Sequence, residues 1–309
     1  MSSGVIAGAV AEARRRQALG ERDLAAEVNH FETTLGPLCD QWRLEPQLWF
    51  HGGLNPPPVA VTTADGTAAV LKVQAPGQQD VAAGVLLAAA GNGYVRVLDW
   101  DAGRGALLTE RLGEDLWTQH RGLDDQARVI VGLLKRAWSV PLRVGLPFES
   151  KAAGLGQILA ELGPRHGNSA PTALQLASGY AEVLAATEVA EVVCHGDPHG
   201  GNVLRRHDGW ALIDPDGFVG ERAYDLGVVL RDACHEFTRA EAERPGAGVE
   251  LLWRGCELIA GLAGAEVDRV WRWGFVERVT TGLYLHWHGY GDEAELFLDT
   301  AEVIARSAG

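Results

Sequence analysis

The spacing of hydrophobic positions changes along the N-terminal third of the chain. Apolar residues in 5–36 recur at helical intervals, which predicts one or two helices. We expect a break near Gly20 and an end at Gly36-Pro37, because glycine followed by proline commonly stops a helix. The chain is therefore expected to begin with helical structure before any strand.

Strand-like patterns follow this helical segment. Four short runs rich in β-branched and aromatic residues are separated by turns that contain glycine, which is typical of a small sheet. An Ala-Asp-Gly turn predicts a hairpin between 59–63 and 68–73. The stretch 78–90 has good helix propensity and is expected to be the only helix inserted in this sheet. The four runs are LWFHGG, VAVTTADGTAAVLKV, YVRVLDWD and GALLTERL.

After about Leu112 the pattern becomes helical, and helices rich in Trp and Leu are expected again from Tyr224 onward. The first predicted helices of this part are 123–138, 155–162 and 174–187. Three strand-like runs interrupt them at 191–194, 202–206 and 210–214. The sequence thus predicts two domains, an N-terminal lobe over 1–112 and a C-terminal lobe over 113–309.

The charge of the chain narrows the class of partner. Charged residues make up 22% of the 309 residues, and the formal net charge is −14. Nucleic acids bind basic surfaces, so a nucleic-acid partner is disfavoured. An acidic protein attracts a cationic small molecule, although acidity that only aids solubility is the simpler interpretation.

Several features of the sequence favour a soluble cytoplasmic protein, which we expect to be a monomer. The four cysteines show neither CxxC spacing nor the density of a disulfide framework, which favours buried thiols in a reducing compartment. The apolar run near the N-terminus precedes the basic residues instead of following them, so we expect no secretory signal. The longest apolar stretch, 81–91, is too short to span a bilayer, so no membrane association is expected.

The segment 192–217 is dense in groups that ligate metals or transfer protons. It contains three histidines, four aspartates and an asparagine between two strand-like runs. One interpretation is a plain polar loop. A second is a metal cluster of His195, Asp197 and His199, as in metallophosphoesterases, but the downstream GNH[DE] element that those enzymes need is missing.

A third interpretation is a site for phosphoryl transfer. His195-Gly-Asp197, then Asn202, then Asp214 after a strand parallels the spacing of the kinase catalytic loop and its later metal-binding aspartate. Phosphoryl transfer needs one carboxylate near the attacking hydroxyl, and Asp197 is the candidate. Mg²⁺ prefers oxygen ligands, which Asn202 and Asp214 provide.

The same residues resemble a known family. The HGD…N…D pattern and its extension LIDPDGFVGERAYD are similar to the aminoglycoside phosphotransferase family, in its streptomycin 6-kinase and hydroxyurea phosphotransferase branch. The upstream runs ADGTAAVLKVQAP, YVRVLDWD and ALLTERL resemble that branch as well. The resemblance fades in the C-terminal helices. It implies an α+β, bilobal, protein-kinase-like fold with a small sheet-rich N-terminal lobe and a larger helical C-terminal lobe.

The resemblance implies roles for residues of a nucleotide site. Lys72 matches the strand lysine that holds the α- and β-phosphates of ATP or GTP. The segment that binds adenine through backbone groups matches Glu110, Arg111 and Leu112. His199 stands where protein kinases place a lysine beside the γ-phosphate, and a buried structural role fits this position equally well.

The resemblance also implies roles for the catalytic segment. Asp197 matches the base that orients the attacking hydroxyl, and Asn202 and Asp214 match the ligands of Mg²⁺. His195 and Asp225 match residues that brace the catalytic loop by hydrogen bonds.

Three positions depart from the family pattern. The helix after Lys72 lacks the glutamate that usually pairs with the strand lysine, and Asp80 is its only acid. The loop HGGLNPPPV has Gly52 and Gly53 but then three prolines, which remove backbone donors. Pro198 replaces the leucine that is common after HGD.

The function implied is ATP-dependent transfer of the γ-phosphoryl group to a hydroxyl of a cationic aminoglycoside such as streptomycin, and hence antibiotic resistance. Carboxylates for this substrate are expected in the C-terminal helices, together with an indole ring that stacks on a guanidinium or a sugar. The candidates are Asp232, Glu236, Glu277, Trp287, Asp292 and Glu293. Two alternatives stay open: a kinase for an endogenous sugar or other metabolite, and a non-catalytic nucleotide-binding protein on the same fold.

Overall fold

The protein divides into two compact units. The structure is a computed structural model that describes residues 2–51, 53–119, 122–142, 150–186 and 191–307. Unit 1 comprises Met1–Gly91 and Val95–Leu112, and unit 2 comprises Asn92–Tyr94 and Gly113–Gly309. The short segment 92–94, which we expected in the N-terminal lobe, therefore packs with unit 2.

Over its described residues, unit 1 contains three α-helices and a five-stranded antiparallel sheet. The helices are α1 (Ser2–Gln17), α2 (Ala25–Trp42) and α3 (Asp80–Ala89). The strands are β1 (Glu45–Trp49), β2 (Val59–Thr62), β3 (Ala68–Val73), β4 (Val97–Asp101) and β5 (Ala106–Glu110). They pair in the order β1-β2-β3-β5-β4. The predicted hairpin and inserted helix are present, and a short 3-10 turn between β4 and β5 adds to the one helix that we expected there.

The second helix does not end at Gly36-Pro37, as we expected. It continues to Trp42 and ends at Arg43, whose φ of 52° is in the left-handed region. A proline inside a helix costs about 3 kcal/mol. Leu35 and Leu38 are buried in the core, and each large apolar side chain buried in this way contributes about 1.5–3 kcal/mol. The buried face of α2 therefore outweighs the proline, which lies on the exposed side.

Helices α1 and α2 share a hydrophobic core with one face of the sheet. On β3, Ala69, Leu71 and Val73 belong to this core. Successive side chains of a strand point to opposite faces, so Lys72 lies on the other face of the sheet, where it is half-buried. The candidate phosphate-binding lysine is thus outside the core of unit 1.

Unit 2 is mainly helical and carries two pairs of short antiparallel strands. The helices are α4 (Leu116–Gln119), α5 (Leu123–Ala137), α6 (Lys151–His166), α7 (Pro171–Ala185), α8 (Arg222–Arg231), α9 (Cys234–Glu243), α10 (Ala247–Ala263), α11 (Val267–Trp287) and α12 (Gly291–Ser307). The strands are β6 (Glu191–Cys194), β7 (Val203–Arg206), β8 (Gly209–Leu212) and β9 (Phe218–Glu221). Helix α11 packs against five other helices and is buried along most of its length. Thr187, the predicted end of the helix expected over 174–187, lies outside the described residues.

The insert has four strands, whereas we expected three. The additional strand, β9, pairs with β6 and aligns Phe218 with Cys194. A four-residue run that contains glycine carries little local signal, and its partner strand is more than twenty residues away in sequence. Asn202 and Asp214, which we expected inside strands, lie just outside β7 and β8.

Two further observations concern the cysteines and the helices. All four cysteines are buried and carry free thiols. Among the residues described, no helix is both long and apolar enough to cross a membrane.

Candidate active site

Residues 195–202, the candidate catalytic loop, connect β6 to β7. The chain leaves β6 through Gly196, whose φ is 95°. A Cβ at this position would lie 2.5 Å from the Cβ of Asp216. Both the left-handed backbone and the close approach of Asp216 therefore require glycine at the second position of the HGD pattern.

The carboxylate of Asp225 braces the start of this loop. Its Oδ2 accepts hydrogen bonds from the backbone N–H of His195 at 3.0 Å and from the indole of Trp138 at 2.8 Å. Its Oδ1 accepts from the backbone N–H of Gly196 at 2.9 Å. Asp225 is fully buried, and burial raises its pKa, although His195 and these donors lower it. The role is structural, as the resemblance implied.

His195 holds the loop through both ring nitrogens. Its Nε2 donates to the carbonyl oxygen of Ile213 at 2.8 Å, and its Nδ1 accepts from the backbone N–H of Asp197 at 3.1 Å. Tyr94 stacks on the ring with centroids 5.7 Å apart. Burial lowers the pKa of His195, so the ring is neutral and carries its proton on Nε2. His195 thus fixes the backbone of the residue that matches the catalytic base.

The carboxylate of Asp197 lies between the side chains of Arg231 and His199. Its Oδ1 accepts from Nη2 of Arg231 at 2.9 Å, and its Oδ2 is 3.3 Å from Nε2 of His199. Burial raises the pKa of Asp197, but His199 and Arg231 outweigh burial and lower this pKa well below its usual value. The side chain is 34% exposed, so the ionised carboxylate is accessible to an acceptor molecule.

Arg231, the last residue of α8, is a functional candidate that the sequence analysis missed. Besides Asp197, its guanidinium contacts Oδ1 of Asp232 at 2.7 Å and Oε2 of Glu277 at 3.3 Å. Its side chain is buried, which is uncommon for arginine unless it is paired. The available signal was its place at the end of a long apolar run, where a basic residue usually indicates only a helix terminus.

His199 contacts Asp197 from the other side of the loop. Its Nδ1 accepts from the backbone N–H of Gly201 at 3.1 Å, which leaves the proton on Nε2, facing Asp197. Burial lowers the pKa of His199, but Asp197 and Asp232 together raise it above the usual value. The position matches a phosphate-binding lysine, and in this structure the side chain also supports the loop.

An indole ring explains the two glycines that follow His199. Trp117 stacks on the imidazole with centroids 4.7 Å apart and an interplanar angle of 19°. A Cβ on Gly200 would lie 2.4 Å from the indole, and one on Gly201 would lie 2.6 Å from it. The Gly-Gly pair therefore makes room for Trp117, a residue that the sequence analysis did not consider.

A backbone hydrogen bond joins Asn202 to Ile213, the residue before Asp214. The N–H of Ile213 donates to the carbonyl oxygen of Asn202 at 2.9 Å. The side-chain amide of Asn202 donates to the carbonyl oxygen of Asp197 at 3.0 Å, which orients its Oδ1 away from that contact. Asp214 follows with a φ of 55°, a left-handed conformation that a non-glycine residue rarely adopts.

The donor set of this pair fits Mg²⁺. An amide oxygen and a carboxylate are hard ligands, and Mg²⁺ typically takes only one or two carboxylates and fills its shell with phosphate oxygens and water. In the part of the chain that the structure describes, no group of three or more His, Cys, Asp and Glu side chains is placed to hold a metal. This finding gives no support to the His195–Asp197–His199 cluster, and it is compatible with a site of one amide and one carboxylate.

The candidate nucleotide residues of unit 1 lie on β3 and at the end of β5. The carboxylate of Glu110 accepts from the backbone N–H of Arg96 at 2.9 Å, and the backbone N–H of Glu110 donates to the carbonyl oxygen of Arg96 at 3.0 Å. The N–H of Arg111 donates to Ala68 at 3.2 Å. The backbone N–H groups of Glu110 and Arg111 are therefore already engaged within unit 1. The predicted hydrogen bonds to adenine are then expected from the backbone of Leu112 and from carbonyl oxygens of the segment.

Asp80 is the exposed first residue of α3, and its pairing with Lys72 stays a prediction. Gly53 of the proline-containing loop has a φ of 77°. Gly52 lies outside the described residues.

The structure divides the predicted substrate residues into separate groups. From their spacing we expected Asp232 and Glu236 to lie one turn apart on a single helix. This expectation is wrong, because α8 ends at Arg231 and α9 begins at Cys234. Both acids are half-buried, and Asp232 pairs with Arg231. Their role as substrate contacts stays a prediction.

Glu277 is buried, contrary to the expectation of an open carboxylate. Its Oε1 accepts from the hydroxyl of Tyr224, and its Oε2 faces Arg231. The carboxylate is therefore engaged inside the protein, and we revise its expected role from substrate contact to positioning of Arg231.

The other predicted substrate residues lie near the C-terminal end of the chain. Trp287 contacts Tyr284 of its own helix and His288, the residue that follows the helix. Asp292 and Glu293 are exposed in the first turn of α12, where acids also stabilise the helix terminus. Their role toward a substrate stays a prediction.

A second cation, Lys151, faces the same region of unit 2. Its Nζ lies 3.6 Å from Oδ2 of Asp216. Burial lowers the pKa of Lys151, but the carboxylates of Asp216, Glu277 and Asp197 together raise it. The surroundings of Asp197 thus contain protein cations as well as acids, whereas we expected mainly acids.

Comparison with known proteins decides the family. The model of the aminoglycoside/hydroxyurea antibiotic resistance kinases matches residues 41–273, well over half of the chain. The chain belongs to this family. Its members are phosphotransferases that act on hydroxyl groups, so the predicted enzyme class and the predicted branch are confirmed.

Individual relatives agree with this assignment. A streptomycin 6-kinase of Streptomyces griseus is 36% identical over 201 residues, which cover 62% of this chain and 64% of that protein. The chain thus spans just under two thirds of that relative. A hydroxyurea phosphotransferase of Kitasatospora aureofaciens is 32% identical over 259 residues, which cover 81% of this chain and 71% of that protein.

A solved structure confirms the fold. A thermostable mutant of the aminoglycoside phosphotransferase APH(4)-Ia, in complex with ADP and hygromycin B, aligns with a TM-score of 0.60 at 15% identity. The alignment covers 88% of this chain and 97% of that one. The predicted protein-kinase-like α+β fold is therefore confirmed.

Proposed function

We propose that this kinase transfers the γ-phosphoryl group of ATP to a hydroxyl of an aminoglycoside of the streptomycin type. The observation that carries the proposal is the arrangement around Asp197. Its carboxylate is ionised and accessible, and the adjacent Asn202 amide and Asp214 carboxylate suit Mg²⁺. The names of the relatives supply the substrate class.

Candidate nucleotide-binding residues are assigned in each unit separately. Lys72 would neutralise the α- and β-phosphates, and Leu112 would contact the adenine through its backbone. Asn202 and Asp214 would hold Mg²⁺, which when bound neutralises charge on the phosphates. The hydrogen bond from the N–H of Ile213, which precedes Asp214, to the carbonyl oxygen of Asn202 supports a joint role for Asn202 and Asp214.

Asp197 would orient the acceptor hydroxyl and receive its proton. The bond between the γ-phosphorus and the oxygen that bridges it to the β-phosphate breaks, and that oxygen leaves with ADP. A bond from the γ-phosphorus to the acceptor oxygen forms, and the hydroxyl proton passes to Asp197. Because Arg231 and His199 lower the pKa of Asp197, this carboxylate is a weak base, and the transfer of the proton comes late. Most of the rate enhancement then comes from positioning and charge neutralisation.

The acceptor is proposed to be cationic because the protein is acidic and its relatives include streptomycin kinases. Asp232 and Glu236 are half-buried acids on the segment that follows Arg231, and they are the first candidates for contacts with it. Asp292, Glu293 and Trp287 remain candidates for outer contacts.

A transfer assay with a panel of acceptors tests this proposal. Streptomycin, hydroxyurea and a neutral sugar are each incubated with ATP or GTP and Mg²⁺, and the phosphorylated product is identified by mass spectrometry. We expect phosphate on a streptomycin hydroxyl and a KM for streptomycin that rises steeply with salt, because salt screens charge attraction. Transfer to the neutral sugar alone would establish a metabolite kinase. Absence of transfer to all acceptors, with Mg-ATP bound, would establish a non-catalytic binding protein.

A further inference from the structure

The ammonium group of Lys151 lies in a cage formed by one carboxylate and two aromatic rings. Its Nζ is 3.6 Å from Oδ2 of Asp216 and lies over the rings of Phe218 and Tyr224, at 5.0 and 5.2 Å from their centroids. A carboxylate beside aromatic faces is a general means of binding ammonium and guanidinium ions. The structure thus shows a cation site that is filled by a side chain of the protein itself.

The cage is built independently of the lysine that fills it. Phe218 and Tyr224 pack edge to face with centroids 5.0 Å apart, and the hydroxyl of Tyr224 donates to Glu277. Both rings are buried, whereas the side chain of Asp216 is 57% exposed. If the lysine moves away, preformed ring faces beside an accessible carboxylate are left for another cation.

The cage also adjoins the candidate base. Asp216 packs directly against Gly196, the residue before Asp197. A cationic group held by Asp216 therefore places the rest of its molecule near the carboxylate that would orient the acceptor hydroxyl.

The two protein cations of this region differ in how firmly they are held. Arg231 is 10% exposed and contacts three carboxylates. Lys151 is 30% exposed and, among the residues that the structure describes, has one carboxylate within ion-pair distance, that of Asp216. A partly exposed ion pair contributes little net stability, so Lys151 is the cation that a ligand can replace.

We propose that the Asp216–Phe218–Tyr224 cage is a subsite for a guanidinium or ammonium group of the acceptor, and that Lys151 is a tethered cation which this group displaces. The inference rests on the proposed function in requiring a cationic acceptor. Lys151 then lowers the apparent affinity for such acceptors, since each binding event must first vacate the cage. It also selects against weakly cationic molecules, which do not compete with it.

Variants of the cage test the competition between Lys151 and the acceptor. In Lys151→Met, which keeps the aliphatic stem, we expect streptomycin to bind about fivefold to tenfold more tightly by calorimetry, with Mg-ATP affinity unchanged. Asp216→Asn should weaken streptomycin binding, and in the double variant the gain should be lost. Lys135→Met, an exposed lysine on α5, is the matched control and should bind as wild type does.

A chemical footprint tests the subsite without reference to turnover. Acetylation of Lys151 by an amine-reactive reagent is followed by mass spectrometry, with Lys135 as internal reference, and methylguanidinium is the probe. We expect methylguanidinium, but not sodium chloride at equal ionic strength, to raise the acetylation rate of Lys151 several-fold relative to Lys135.

The outcomes separate this inference from the proposed function. A raised Lys151 reactivity with methylguanidinium supports the subsite even if streptomycin is neither bound nor phosphorylated, a result that would refute the acceptor alone. Unchanged reactivity with both methylguanidinium and streptomycin, together with no tightening in Lys151→Met, would show that Lys151 is a fixed ion pair. The inference would then be overturned while the kinase function stands.

Discussion

The catalytic loop and the C-terminal helices use their charged residues in different ways. In the loop, Asp197 has partners within a few positions, His199 and the Asn202 amide, in addition to the distant Arg231. In the helices, acids are tied to partners far along the chain. Glu277 faces Tyr224 and Arg231, and Glu302 of α12 binds the start of α7.

The difference shows where a local pattern is sufficient to predict a role. The predicted role of a side chain with partners in its own loop depends mainly on spacing that the sequence already contains. An acid on a helix faces substrate or protein according to which distant residue packs against it. The same residue type therefore supports a firm prediction in the loop and a weak one in the helices.

The largest effect that sharpens this comparison is expected for the metal pair. Asp214→Ala removes the only carboxylate proposed as a ligand, so Mg-ATP affinity measured by calorimetry should fall about a hundredfold or more. EDTA should have a similar effect on the wild-type protein. Asp208→Ala, an exposed aspartate in the turn between β7 and β8, is the control. If Asp214→Ala binds Mg-ATP as the wild type does, the kinase-like assignment of the loop is wrong.

Arg231 joins the two regions, and its removal should affect both. Arg231→Met leaves the buried Glu277 and the Asp197 carboxylate without their shared cation, and we expect a loss of about 3–5 kcal/mol in unfolding free energy. Arg231→Lys keeps the charge, but a single ammonium cannot replace contacts to three carboxylates, so an intermediate loss is expected. Chemical denaturation measures both variants. Wild-type stability and turnover in Arg231→Met would show that the cluster has no importance for either region.

The smallest effect is expected from an acid that serves the fold alone. Glu302 accepts from the N–H of Ala173 at 2.9 Å and the hydroxyl of Thr172 at 2.8 Å, at the first turn of α7. Glu302→Gln should lower the unfolding free energy by about 1 kcal/mol at neutral pH and leave turnover unchanged. A change in kcat without a change in stability would place this helix pair in the catalytic machinery.

The stability lost in Glu302→Gln should also depend on pH. Burial raises the pKa of Glu302, but the bonds from Ala173, Thr172 and Arg306 outweigh it, so the folded pKa is below its usual value. A carboxyl with a lowered folded pKa stabilises the protein above its unfolded pKa and loses that contribution as the pH falls through the folded one. Denaturation curves should therefore show a constant difference between wild type and variant near neutral pH, and the two should converge only as the pH falls below the ordinary glutamate pKa and through the lowered folded one.

These expectations also show how far the sequence was informative about the fold. The hairpin of β2 and β3 was predicted because its turn residues and alternation are local. The predicted end of α2 at Gly36-Pro37 was wrong, because the burial of Leu35 and Leu38 outweighs the cost of a proline inside the helix. Strand β9 was missed, because only its pairing with β6 defines it.

In the candidate site, as in the fold, the sequence indicated the features that depend on local spacing and missed those that depend on packing between distant residues. Asp197, Asn202 and Asp214 were proposed from spacing, and the structure brings the first two into contact. Arg231 and Trp117 reach the loop from other elements, and no local pattern marks them. Their contribution depends on packing that a single sequence does not reveal.

The central claim is that the ionised carboxylate of Asp197 orients the acceptor hydroxyl, and one variant tests it directly. Asp197→Asn keeps the shape of the side chain but removes its charge. With the best acceptor of the panel and saturating Mg-ATP, we predict that kcat falls about a hundredfold or more, while calorimetry shows Mg-ATP affinity within about twofold of wild type. A variant that keeps most of its kcat would contradict the claim and leave Asp197 as a residue of the fold.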